Sequence, residues 1–253
     1  IGVAGQAFGA EATTELDNNA TVTADDTAGF LFNDDSGAVA VAITHNGTTD
    51  VNLGATGAGK DAITVGSDSA AAAVTITITD SSGVDDGVVF ENDIRIDDTD
   101  TNDTLAIKFE SGDAMHIEGD IVVGGGTNSV AITAGNGSGT DTLTINVISD
   151  MNSAQNIAAT IDKATGSGDT VNLVIKDGEN TADNIITLSE AIGATTALDA
   201  VSVLATNGAA PTVNFSSSVS AATFVITSEA TANDTATSTI TGTLTTSTST
   251  TIT

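Results

Sequence analysis

The stretch Val74-Thr75-Ile76-Thr77-Ile78-Thr79-Asp80-Ser81-Ser82-Gly83 decides how the rest of the chain is read. For six residues an aliphatic side chain alternates with a threonine, and a small polar cluster follows. A period of two places the aliphatic set on one face of an extended strand. β-Branched Val, Ile and Thr suit a pleated surface, and Asp-Ser-Ser-Gly supplies the turn that ends it.

Working outward, the same grammar recurs at Ala38–Thr44, Ile94–Ile96, Leu105–Phe109, Val130–Thr133 and Leu143–Val147. It continues at Val171–Ile175, Ile185–Leu188, Val201–Leu204, Val213–Phe215 and Phe224–Thr227. Many short strands with Gly, Asp, Asn and Ser between them predict an all-β protein. Two segments read differently. Met151, Ala154, Ile157, Ala158, Ile161 and Ala164 stand at helical spacing after Ser149 and Asp150, which are capping residue types. Ser189–Leu198 offers a second short helix. A soft boundary near residue 150 divides an acidic β-repeat domain, 1–150, from a second β-rich domain, 151–253. The latter ends in the Thr/Ser-rich tract Thr237–Thr253.

Composition selects among all-β architectures. Of 253 residues, 7 are Phe and none is Trp or Tyr, which is thin for the aromatic core of a β-sandwich. A parallel β-solenoid needs only small and β-branched residues stacked coil on coil, with Gly, Asn and Asp at the corners. The expected fold is therefore a parallel β-solenoid with one or two short helices, and tandem β-sandwich domains are the alternative. Coils of roughly 20–30 residues with strands about 4.8 Å apart would build a rod about 40–60 Å long.

Charge narrows function. Acidic residues number 34 and basic ones 5, a net charge of −29, so clustered cations for nucleic acid are missing. The absence of Cys removes disulfides, thiolate metal sites and thiol catalysis. No apolar run is long enough to span a bilayer as a helix. The chain begins at Ile1, and a cleaved export signal is the simplest account of that start. Six N-x-[ST] sequons, at Asn19, Asn46, Asn102, Asn136, Asn214 and Asn233, are read as chance in a chain this rich in Asn, Ser and Thr.

The richest metal candidate is Asp97-Asp98-Thr99-Asp100-Thr101-Asn102-Asp103. Four carboxylates and an amide in seven residues offer the oxygen ligands that Ca²⁺ takes six to eight at a time. An EF-hand register from Asp98 fails, because Asp103 stands where the turn needs Gly and Phe109 where it needs the bidentate Glu. His45 and His116 lie in strand runs without a partner motif, and no G-x-S-x-G elbow is present. Asp34-Asp35 and Asp85-Asp86 are carboxylate pairs of the kind glycosidases use, yet no Trp or Tyr is available to stack a sugar. No enzyme is expected. T-x-T runs at Thr21/Thr23, Thr75/Thr77/Thr79, Thr142/Thr144 and Thr239/Thr241/Thr243 would suit ice binding only if they recur at the coil period.

Gly57-Ala58-Gly59-Lys60-Asp61-Ala62-Ile63-Thr64 and Gly137-Ser138-Gly139-Thr140-Asp141-Thr142-Leu143-Thr144 both read G-x-G-x-D-x-U-x. They resemble the nonapeptide of RTX (repeats-in-toxin) proteins, without its leading Gly. Gly166-Ser167-Gly168-Asp169 is one residue short of it. "VTITITDSSG", "IEGDIVVGGGTNSVAITAGNGSGTDTLTINV" and "TLSEAIGATTALDAVSVLATNGAAPTVNF" resemble prokaryotic surface-layer proteins and β-strand-repeat adhesins. That resemblance implies export to the cell surface, self-assembly and structural Ca²⁺, for which Asp61 and Asp141 join the 97–103 run as ligand candidates. The expectation is a secreted, non-catalytic, self-assembling subunit of a surface layer or filament. Its partners would be further copies of itself and a cell-surface glycan, with no nucleic acid and no membrane insertion. An adhesin or ice-binding module is the alternative, and salt adaptation a third account of the acidity.

Overall fold

The structure is a computed structural model, and its described residues are 14–15, 20–22, 29–32, 38–45, 51–54, 61–66, 72–80, 87–96, 102–112, 114–137, 139–149, 154–177, 184–205, 211–228 and 236–252. The first described strands are β1 (Thr14–Glu15) and β2 (Ala20–Val22), and five three-stranded coils follow among the described residues. These are β3 (Phe30–Phe32), β4 (Ala38–His45) and β5 (Val51–Leu53); then β6 (Ile63–Val65), β7 (Ala73–Asp80) and β8 (Val88–Phe90). Next come β9 (Ile94–Ile96), β10 (Thr104–Ser111) and β11 (Ala114–Ile117), followed by β12 (Ile121–Val123), β13 (Ser129–Ala134) and β14 (Thr142–Ser149). The fifth is β15 (Gln155–Ile157), β16 (Ala159–Lys163) and β17 (Thr170–Asp177). Two-stranded coils follow: β18 (Ile185–Leu188) with β19 (Leu198–Ala205), β20 (Thr212–Phe215) with β21 (Val219–Ser228), and β22 (Thr237–Ile240) with β23 (Leu244–Ile252).

Among the described residues every pairing is parallel, in three sheets of nine, six and eight strands. This is the expected parallel β-solenoid. Nine stacked strands at about 4.8 Å give a length of roughly 40 Å. β14 pairs β17 and β13 pairs β16.

The alternation in the sequence becomes in-register columns inside. Val41, Ile76, Ile107, Ile132, Ile161, Ile192, Val219 and Leu244 succeed one another across neighbouring coils. A second column runs Phe30, Ile63, Ile94, Ile121, Ile157, Leu188, Phe215 and Ile240. Each buried Ile or Val contributes about 1.5–3 kcal/mol of transfer free energy, so the columns hold the coils together without large aromatic residues.

The expected helices are corrected. Among the described residues there is no helix; 155–157 and 159–163 are strands, and 189–197 is irregular around an isolated bridge at Ile192. The apolar spacing misled because Ile157 and Ile161 are four apart, which satisfies a helix and also a strand. The intervening burial decides it: Ile157, Ala159 and Ile161 are fully buried while Asn156 is exposed.

Candidate functional site

The acidic side chains are the candidate functional groups, and the coil geometry distributes them over three corners. Asp61 lies near the end of the β5–β6 connection, Asp103 closes the β9–β10 connection, and Asp141 closes the β13–β14 connection. The structure therefore does not bring these three together. Asp97, Asp98 and Asp100 lie outside the described residues, as do Asp34-Asp35 and Asp85-Asp86. Among the described residues, no group of three or more His, Asp or Glu is arranged to hold a metal ion.

Several of the described carboxylates, those of Asp93, Asp103, Asp120, Asp162 and Asp199, accept from backbone N–H groups of an adjacent coil. Asp103 is fully buried; its Oδ1 accepts from Ala72 N–H at 2.7 Å, and its own N–H donates to Asn128 Oδ1 at 2.8 Å. Its Oδ2 is buried with no hydrogen-bond partner among the described residues. Asn102 beside it is exposed. Asp93 accepts from Asp120 N–H at 2.9 Å, and Asp120 accepts in turn from Asn156 N–H at 2.8 Å. Asp162 accepts from Thr195 and Thr196 N–H, and Asp199 from Val171 N–H and Lys163 Nζ. Corners have no ladder to satisfy their amides, and a carboxylate on the next coil supplies the acceptor.

The RTX-like octets show this most plainly. Gly137–Thr144 and Gly166–Asp169 are stacked on adjacent coils, since Thr142 pairs Thr170. Asp169, 1 % exposed, accepts from Asn136 N–H at 3.1 Å, Asp141 N–H at 3.0 Å and Ser167 Oγ at 2.7 Å. Gly139 is glycine because a Cβ there would collide with the Asp169 carboxylate. Burial raises the Asp169 pKa, but the Ser167 hydroxyl, the two amides and Lys163 more than offset it, so the carboxyl stays below its usual range. Asp141 contributes its N–H, with its side chain exposed.

At the other octet Asp61 is 3 % exposed and paired with Arg95, Nε to Oδ2 at 3.1 Å, with Thr64 Oγ1 nearby at 3.4 Å. Arg95 also holds Asp93, at 2.8 Å. Burial pushes the Asp61 carboxyl above its usual range, Arg95 pulls it down, and Asp93 adds repulsion. Asp120 is raised by burial first and by Asp93 after it. The charge hub at Arg95, which links three successive coils through Asp61, Asp93 and Asp120, has no local motif that sequence reasoning could find.

The outer faces do not repeat the T-x-T pattern. Thr75 and Thr77 pair with Ala40 and Ala42 on one side and with Ala106 and Lys108 on the other; Thr144 meets Ala114 and Asn172. Among the described strands, no T-x-T run continues from coil to coil. His116 lies on the outer face of the eight-stranded sheet between Val89 and Asn146, and His45 closes β4 opposite Asp80. No helix among the described residues is long and apolar enough to cross a membrane. Comparison with protein-family models, curated proteins and solved structures finds no match to this chain.

Proposed function

We propose that this protein is a non-catalytic extracellular structural subunit whose copies stack into a surface layer or filament ordered by divalent cations. The observation that carries the reading is the last coil. Among the described residues β22 and β23 are edge strands of their sheets, and between Thr237 and Ile252 there is no charge and no proline. The interior columns end there in Ile240 and Leu244, which are only partly buried, and Ile252 is 74 % exposed. Unpaired strand edges are templates for another strand, and charged or proline residues are the usual protection against that. A second copy stacked in parallel register would bury all three side chains. The compositional resemblance to surface-layer proteins supports placement outside the cell.

Ca²⁺ enters the proposal at the β9–β10 connection, through Asp97, Asp98, Asp100, Asn102 and Asp103. The buried Oδ2 of Asp103 supports it, being a carboxylate oxygen with no hydrogen-bond donor among the described residues. Asp61 enters with one oxygen already held by Arg95, and Asp141 with its carboxylate exposed. Two measurements test the reading. Thr245→Lys with Ser247→Lys should leave the melting temperature nearly unchanged and abolish growth in light scattering; growth equal to wild type refutes stacking through this edge. Melting should be higher in millimolar Ca²⁺ than in chelator, and identical curves refute the cation.

A further inference from the structure

The connection from the nine-stranded to the six-stranded sheet changes length along the molecule. Five residues, Gly124–Asn128, separate β12 from β13, whereas Ala158 alone separates β15 from β16. A cavity of about 320 Å³ is lined by residues at the ends of the longer connection and at the corners that follow. Val123, Ala131 and Ala158 supply its apolar surface, and Asn128, Thr160 and Glu190 its polar groups. Asn128 is fixed by its bond to Asp103 N–H, so this wall is preformed.

The cavity opens on the outer face of the six-stranded sheet, which is nearly bare. Its rows read Ala40, Thr75, Ala106, Ala131, Thr160 and Ala42, Thr77, Lys108, Thr133, Asp162. In a chain of net charge −29, this face carries only Lys108, Glu110 and Asp162 as charged side chains among its described strands. Asp162 is engaged by Thr195 and Thr196 N–H. Lys108 is exposed and has no hydrogen-bond or ion-pair partner among the described residues. Glu190 of the same chain cannot serve, because the column Ile107, Ile132, Ile161, Ile192 places it three coils away. Strand spacing and rise make that roughly 17 Å, beyond the reach of a lysine side chain.

We propose that this face is a lateral contact between two copies of the chain, packed face to face about a two-fold axis, each seating its Lys108 in the other's Glu190 cavity. Sheets that pack face to face lie about 10 Å apart, a gap that a lysine and a glutamate span together. A two-fold arrangement makes the contact twice, reciprocally. The methylene stem of Lys108 covers the Val123, Ala131 and Ala158 surface while its ammonium meets Glu190. The proposal rests on the self-assembly reading and adds a second, lateral direction to the end-to-end one.

Sedimentation velocity at low salt tests it with Lys108→Glu, Glu190→Lys and the double charge exchange, each first shown to melt like wild type. Each single variant should weaken lateral association about tenfold or more, and the double variant should restore it. End-to-end growth should persist in all three. Single variants that associate laterally like wild type, or a double variant no better than the singles, overturn the lateral contact and leave the stacking reading intact. A wild-type protein monomeric at every concentration overturns both.

Discussion

Replacing Asp169 with Asn isolates the device that locks the corners. The wild-type carboxylate accepts three hydrogen bonds, from Ser167 Oγ, Asp141 N–H and Asn136 N–H, between 2.7 and 3.1 Å. Hydrogen bonds to a charged group contribute about 1.5–3 kcal/mol each. Asparagine keeps one acceptor oxygen and turns an N–H₂ toward the remaining donors, so the cost should be about 2–4 kcal/mol, less than the sum of the bonds lost. Because a solenoid opens in local units, hydrogen exchange at the two amides is the sharper assay. Both should exchange about 30- to 1,000-fold faster in the variant, at about 1.4 kcal/mol per tenfold. The pH dependence gives an internal control. The folded carboxyl lies below its usual value, so its stabilisation is complete above the unfolded value of about 3.9 and is lost as pH falls through the folded one. Wild-type protection should fall in that acid range, and the Asn variant should show no such step. Exchange within about threefold of wild type at both amides would refute the lock.

Three further outcomes follow from the same geometry. Asp120 is raised by burial and by Asp93, so its charge opposes folding above the folded pKa, and this opposition fades as pH falls through it. Asp120→Asn, which can still accept from Asn156 N–H, should melt no lower than wild type at neutral pH, and a clear drop would contradict the electrostatic reading. Ile132→Ala opens the middle of an interior column and should cost about 2–5 kcal/mol in chemical denaturation, whereas outward Thr133→Ala should stay within about 0.5 kcal/mol. Equal effects would contradict the in-register columns. Gly193 has φ +66° and faces the Ser220 carbonyl, with which a Cβ would collide. Gly193→Ala should therefore cost more than about 1–2 kcal/mol in the same assay, and a neutral result would put that corner's geometry in doubt.

Strands were legible because their alternation is local. The run read as Val74–Thr79 is observed as Ala73–Asp80, and Leu143–Val147 as Thr142–Ser149. Coil length was not legible, since the column partners lie between 25 residues apart (Phe215 and Ile240) and 36 (Ile121 and Ile157). Corners absorb the difference, so no fixed period appears in the sequence. The false helix at Asp150–Ala164 came from a four-residue spacing common to both periods, and only the burial of Ala159 between two buried isoleucines separates them. Asp169 looked like a truncated motif because its partners, Asn136 and Asp141, are 33 and 28 residues earlier and meet it only after a full coil. Nothing in the sequence around Arg95 marks it, because its hub needs three coils in place before it exists. The cavity at Glu190 arises from a difference between two connection lengths, a property of neighbouring coils that no single stretch displays.

Electron microscopy of the purified chain in millimolar Ca²⁺ tests the central claim most directly. The account predicts regular filaments or sheets with the coil repeat of about 4.8 Å running along the stacking direction. Single particles of one length, roughly 40 Å, at every protein and cation concentration would contradict it.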